Sequence, residues 1–268
     1  MQVVSNRPRF LTPKPLKPDY PLFVFLPGMD GTGQLLRSQL KYLEVAFDIR
    51  SLAISPNDFT SWEELAQQVA ALIRAEIRQG KRRTVYLCGE SFGGCLALKV
   101  VLHAPELIDR LILINPASSF NRQHLLTWGA HLVKWLPSWF YHLSTLALVP
   151  FLIASQRVIE RELQQLITTL QMVPQKTTVW RLSLLKDFHV SEQQLRSITQ
   201  PVLALAGTAD RLLPSVAEVE RLVNILPNAQ KVILPESGHA CLLETEVDLY
   251  KILQNHNFLE KPLVKSSA

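Results

Sequence analysis

Cysteine, glycine and long apolar runs are all scarce in this 268-residue chain. Three cysteines, Cys88, Cys95 and Cys241, are too few and odd in number for a disulfide framework. Two of them sit in apolar stretches, so reduced core thiols and a cytoplasmic, reducing compartment are expected. Ten glycines exclude collagen-like and low-complexity sequence. The N-terminus lacks the apolar region of a secretory signal. It carries Pro8, Pro13, Pro15, Pro18 and Pro21 instead, and residues 1–20 read as an extended arm. One stretch, Trp135 to Gln156, has no Asp, Glu, Lys or Arg and is long enough on paper to span a bilayer. Pro137 and Pro150 interrupt it, and Ser138, His142, Ser144 and Thr145 dilute it. It is expected to be buried or interfacial rather than spanning.

Other absences narrow the chemistry. There is no H-E-x-x-H, no C-x-x-C and no Walker loop, and Gly28–Gly33 lacks the G-x-G-x-x-G spacing. No metal and no cofactor are expected. The net charge of +5 is mildly basic. Without an aromatic-interleaved basic ribbon it does not suggest nucleic acid. Lys81-Arg82-Arg83, with Arg74 and Arg78 before it, reads either as a solvated loop or as a patch for anionic lipid.

Apolar residues make up 47% of the chain, enough for the core of one large α/β domain. Short apolar runs at Leu22–Leu26, Phe47–Ile54, Thr84–Cys88, Leu111–Ile114, Val202–Ala206 and Lys231–Leu234 read as strands. Helices are expected between them. One runs from Ser61 to about Gln79 and is opened by a Ser61/Glu64 capping box. Others run over Ser91–His103, from Ser215 to before Pro227, and over Leu242–Leu253. Doubly buried strands alternating with helices predict a mostly parallel sheet covered on both faces. About 85 residues separate the fourth and fifth runs, far beyond an ordinary connection. Helices are expected there at Arg122–Lys134, Trp139–Val149, Gln156–Met172 and Gln175–Lys186. The organisation read from this is a core of residues 21–116 and 198–257, a helical cap over 117–197 and a polar tail from 258. Trp128, Trp135, Trp139, Phe140 and Tyr141 crowd the first half of the cap. They fit either ordinary helix packing or a greasy wall, led by Trp128 and Trp135, over a substrate pocket that also touches a membrane.

Gly89-Glu90-Ser91-Phe92-Gly93 matches G-x-S-x-G between a strand and a helix, the setting in which the serine becomes an exposed nucleophile. A base must take its proton. His239 follows the last strand, at the sheet edge where Ser91 is expected. His103, His124, His131, His142, His189 and His256 lie at a helix end, in the cap or near the C-terminus. Asp210, after the fifth apolar run, is the expected orienting acid. Asp187 and Glu236 are its rivals. The order Ser91, Asp210, His239 is that of the α/β-hydrolases. The expected oxyanion donors are the backbone N–H groups of Phe92 and Met29. Asp30 and Glu90 flank the site. They either hydrogen-bond the loop backbone or discriminate among substrate head groups.

With these residues placed, the chain resembles the α/β-hydrolase superfamily. More narrowly it resembles the hydrolase-like half of the esterase/lipase/thioesterase family that includes plant plastid phytyl ester synthases and cyanobacterial relatives. The resemblance rests on FLPGMDGTG (Phe25–Gly33), YLCGESFGGCLAL (Tyr86–Leu98), LILINPASSF (Leu111–Phe120), WRLSLLK (Trp180–Lys186), LALAGTADRLLPS (Leu203–Ser215) and SGHACLLE (Ser237–Glu244). It implies the α/β-hydrolase fold, with the cap inserted after the fourth strand, and acyl lipid or thioester substrates. The plant proteins continue into an acyltransferase-like domain for which 268 residues leave no room, so the hydrolase half is expected to stand alone. Three functions follow for comparison. They are a serine hydrolase of lipid-like esters, an acyltransferase to a long-chain alcohol such as phytol, and a non-catalytic lipid-binding module. No obligate protein partner is expected. Peripheral contact with a membrane through the cap is.

Overall fold

A computed structural model describes residues 7–78 and 83–260. Its centre is a seven-stranded sheet in the order β1-β3-β2-β4-β5-β6-β7. The strands are β1 (Arg9–Leu11), β2 (Leu22–Leu26), β3 (Asp48–Ala53), β4 (Val85–Glu90), β5 (Arg110–Ile114), β6 (Val202–Gly207) and β7 (Ala229–Leu234). All neighbours pair in parallel except β1, which runs antiparallel to β3 along one edge. The fold is therefore the expected α/β one.

Side chains alternate across each strand and so divide the core in two. Val24, Leu26, Leu87, Leu113 and Ala204 face one layer, with α2 (Trp62–Arg78), α3 (Phe92–His103) and later α9 (Ser215–Ile225). Phe23, Phe25, Tyr86, Ile112 and Leu205 face the other, with α1 (Leu40–Leu43) and α10 (Leu249–Asn255). Phe23 and Phe25 are wholly buried, each contributing about 2 kcal/mol or more by transfer from water. Helix α2 opens on the expected capping box: Ser61 Oγ accepts from the Glu64 N–H and Glu64 Oε2 from the Ser61 N–H, both at 3.2 Å. Its Leu65, Val69 and Ile73 line one buried stripe.

Between β5 and β6 lie α4 (His124–Val133), α5 (Ser138–Leu152), α6 (Glu160–Gln171), α7 (Gln175–Lys186) and α8 (Glu192–Arg196). Of these, α7 has the expected bounds. The segment before α6 is irregular rather than helical from Gln156. The cap meets the core through Val149, Ile153 and Leu166, packed on Leu35, Ala240 and Leu243.

Three expectations need correction. The arm is not merely extended, since Arg9–Leu11 adds the edge strand. The helix expected over Leu242–Leu253 is a short 3-10 turn, Cys241–Leu243, followed by α10. Glu244 is drawn inward at the break, and Asp248 caps the new helix by accepting from the Lys251 N–H. The tail is docked at its start: Phe258 is buried against Tyr86, and the Glu260 N–H donates to Tyr86 Oη at 2.7 Å. In the basic cluster, Lys81 and Arg82 lie outside the described residues. Arg83 is paired with Asp48 at 2.5 Å and Arg74 with Glu106 at 2.9 Å, so neither is an unpartnered patch.

Candidate active site

Strands β2 and β4 are neighbours, but the chain leaves β2 for β3 on one side before returning to β4 on the other. The loops after β2 and β4 therefore meet at the carboxyl edge where the strand order reverses, the usual ligand crevice of such sheets. Ser91 sits there, between β4 and α3, at φ 53° and ψ −114°. This left-handed backbone is costly for a residue with a Cβ and persists only where packing enforces it. The enforcement is visible. A Cβ at Gly89 would lie 2.2 Å from the Gly93 carbonyl oxygen, and one at Gly93 2.0 Å from that of Leu26. Only glycine lets the turn close this tightly.

The structure brings Ser91, His239 and Asp210 together. His239 Nε2 lies 2.8 Å from Ser91 Oγ, and His239 Nδ1 lies 2.7 Å from Asp210 Oδ2. All three are shielded; Ser91 is 9% and His239 4% exposed. Asp210 Oδ1 accepts the N–H groups of Leu212 (2.9 Å) and Leu213 (3.0 Å), and Oδ2 also accepts from Ser215 Oγ. Burial works to raise the Asp210 carboxyl. The His239 hydrogen bond and charge, with Ser215 and the Leu213 N–H, outweigh it and hold the group below its usual range. An ionised Asp210 only accepts, so Nδ1 carries the proton and Nε2 keeps a lone pair for the Ser91 hydroxyl. The rivals are elsewhere: His103, His142, His189 and Asp187 are exposed, and the Glu236 side chain is 86% exposed.

The loop after β2 passes beside Ser91. A Cβ on Gly28 would stand 3.8 Å from Ser91 Cβ. Among the described residues, no acceptor takes the N–H of Met29 or of Phe92. Asp30 turns into its own loop, where Oδ2 accepts the Thr32 N–H at 2.8 Å and the Thr32 hydroxyl at 2.5 Å. Burial raises its carboxyl despite those bonds and the charge of Arg181. Glu90 is buried too, and burial, reinforced by Asp30, pushes it up to about 8. Its neutral form is favoured by this burial. Trp128 and Trp135 are 76% and 77% exposed on the cap. Side chains that open to water do not wall a pocket, which corrects that part of the expectation. Tyr141 is instead a packing residue, buried, with its hydroxyl bonded to the Val173 carbonyl and to Thr178. The side chains of His124, His131 and Trp139 lie outside the described ones.

Four positioning residues escaped the sequence reading. Asn115, wholly buried at the end of β5 with φ 41°, donates from Nδ2 to the carbonyls of His239 (2.7 Å) and Gly238 (3.1 Å). Its Oδ1 accepts the Gly207 N–H at 2.9 Å, so one side chain ties β5, β6 and the histidine loop. Glu244 accepts from Ser237 Oγ (2.8 Å) and the Gly238 N–H (2.7 Å) and pairs with Arg157 of the cap at 2.8 Å. Arg181 of α7, 2% exposed, donates to the Met29 carbonyl at 2.6 Å and fixes the loop after β2. The cap also touches the histidine loop directly, since the Ala240 N–H donates to the Leu152 carbonyl at 2.7 Å. The three cysteines are free and buried, and burial pushes each thiol well above its usual range. Among the described residues no cluster of His, Cys, Asp and Glu is arranged to hold a metal.

Similarity to known proteins bears on the family and the fold. The chain is 32% identical to phytyl ester synthase 1, chloroplastic, of Arabidopsis thaliana over 92% of its own length. It spans only about two fifths (39%) of that protein. It is 26% identical to the putative carbamate hydrolase RutD of Stutzerimonas stutzeri, over 90% of this chain and 93% of that one. An esterase from Exiguobacterium antarcticum superposes with a TM-score of 0.76 at 18% identity, covering 94% and 95% of the two chains, and so shares the fold. The pattern of the hydrolase family described as serine aminopeptidase, S33, matches residues 46–246, and the chain belongs to that α/β-hydrolase family.

Proposed function

We propose that this protein is a serine hydrolase that cleaves carboxylic esters of lipid-like molecules, thioesters included, through an acyl-enzyme. The observation that carries the reading is the unbroken relay from Ser91 Oγ through His239 to Asp210. His239 Nε2 takes the hydroxyl proton as Ser91 Oγ adds to the substrate carbonyl, and Asp210 stabilises the imidazolium. The Met29 and Phe92 N–H groups receive the oxyanion, assisted by the positive end of α3. Collapse of the tetrahedral adduct breaks the bond to the leaving alcohol or thiol, which leaves with the proton from His239. Water, deprotonated by the same imidazole, then releases the acid. Asp30, committed to its own loop, orders the oxyanion side.

A fluorophosphonate probe tests this. Labelling is expected at Ser91 and absent in Ser91→Ala, together with a roughly 10³-fold or greater loss of ester turnover. Labelling that persists in Ser91→Ala sinks the reading, and a wild type that never labels favours a non-catalytic binding module. The similarity to a phytyl ester synthase supports a second reading, in which a long-chain alcohol such as phytol replaces water. The two share every residue named above. Product analysis with water and phytol in competition separates them: free acid supports hydrolysis, and phytyl ester supports transfer.

A further inference from the structure

The cap turns an apolar surface outward. On α5, Tyr141, Thr145 and Val149 point inward and are buried. The opposite stripe, half a turn around, carries Phe140 (45% exposed), Leu143 (55%) and Phe151 (49%), with Ala147 and Pro150 also exposed. On and just after α4, Trp128, Leu132 and Trp135 recur at helical spacing and are 60% exposed or more. A helix apolar all round belongs in a core or in lipid, and these two are half out of the core. Contiguous exposed apolar surface of this kind marks an interaction site.

Charge identifies the partner. From residue 111 to residue 159 there is no Asp or Glu; Arg122 is paired with Glu218 and Arg157 with Glu244, and the positive charge at the apolar face is that of Lys134. Lys134 lies beside the patch, its Nζ 5.1 Å from the Trp135 ring centre. Aromatic rings that carry an ammonium group suit the boundary between acyl chains and head groups. Helix α5, with 15 residues, is about 22 Å long, shorter than the roughly 30 Å hydrocarbon layer, and Pro150 interrupts it. Among the described residues no helix is long and apolar enough to cross a membrane. The surface therefore suits insertion in the plane of a leaflet, not across it.

We infer that the outer faces of α4 and α5 form a docking surface for an anionic lipid bilayer. The inference does not depend on the chemistry proposed for Ser91, because its test reads binding. The intact chain is floated with vesicles of phosphatidylcholine alone and of equimolar phosphatidylcholine and phosphatidylglycerol. Binding is expected to the mixed vesicles, about tenfold weaker to the neutral ones, and reduced by salt. Two double variants, Trp128→Ser/Trp135→Ser and Leu143→Ser/Phe151→Ser, are each expected to lose about tenfold in vesicle binding. Circular dichroism and thermal melting, unchanged from the wild type, establish that they are folded. Brominated lipid should quench wild-type tryptophan fluorescence, a readout that needs no variant. A wild type left wholly unbound and unquenched overturns the proposal, as do folded variants that float like the wild type. Sedimentation without vesicles gives a further check: a wild-type dimer dispersed by the tryptophan variant assigns the surface to a second copy of the chain and overturns the lipid assignment.

Discussion

A methyl group added at Gly93, in the core, would come within 2.0 Å of the Leu26 carbonyl oxygen. The same methyl at Gly129, in α4 of the cap, would meet nothing within 4 Å. The two positions mark a difference in how the regions use their apolar residues. Around the site, backbone is packed on backbone, and the close fit holds Ser91 in an unfavourable conformation. On the cap's outer face, apolar side chains lie open. Precise positioning belongs to the core and adaptable contact to the cap.

The largest test of this contrast is Gly93→Ala. It must move main chain at the end of β2 and is expected to cost about 3 kcal/mol or more, or to abolish folding. Denaturant titration checks it. A cost below about 1 kcal/mol would break the contrast. Next is Asn115→Ala, which leaves the Gly207 N–H and two loop carbonyls without their partner. A loss of about 2 kcal/mol in stability is expected. Ester turnover should fall further than fluorophosphonate labelling of the remaining folded protein, because the histidine loop is loosened.

Glu90→Gln follows, and its effect depends on pH in size, not in sign. The native carboxyl is raised to about 8, so the unfolded chain ionises first as pH rises. The wild type therefore loses stability relative to Glu90→Gln between about pH 5 and about pH 8, at up to about 1.4 kcal/mol per pH unit. Below that window the two should match. Melts across the range check this, and a constant gap would show that Glu90 does not titrate as described. The smallest effect is Gly129→Ala, expected to stabilise by about 0.5–1 kcal/mol through helix propensity alone.

Legibility in the sequence followed the same division. Strands β2 and β4–β6 are buried on both faces, and a run of apolar residues reveals such a strand directly. Strand β1 has three residues, at a sheet edge, inside a proline-rich arm, and nothing local marks it. Ser91, Asp210 and His239 were legible because each follows a strand, and parallel strands deliver their following loops to one edge. Asn115, Glu244, Arg157 and Arg181 were not. Asn115 acts on carbonyls 123 and 124 residues away, and Arg181 on one 152 residues away. No local period encodes such pairings. The start of the last helix was misread because Glu244 looks like an ordinary helical residue until its buried partners are known.

The free cysteines sit closer to the relay than their silence suggests. Cys95 begins the turn after Ser91, and Cys241 Sγ lies 3.6 Å from Asn115 Nδ2. An alkylating reagent can reach either sulfur only after the surrounding layers have parted. The rate of labelling by iodoacetamide, or by a maleimide dye, would thus clock how often this interior breathes.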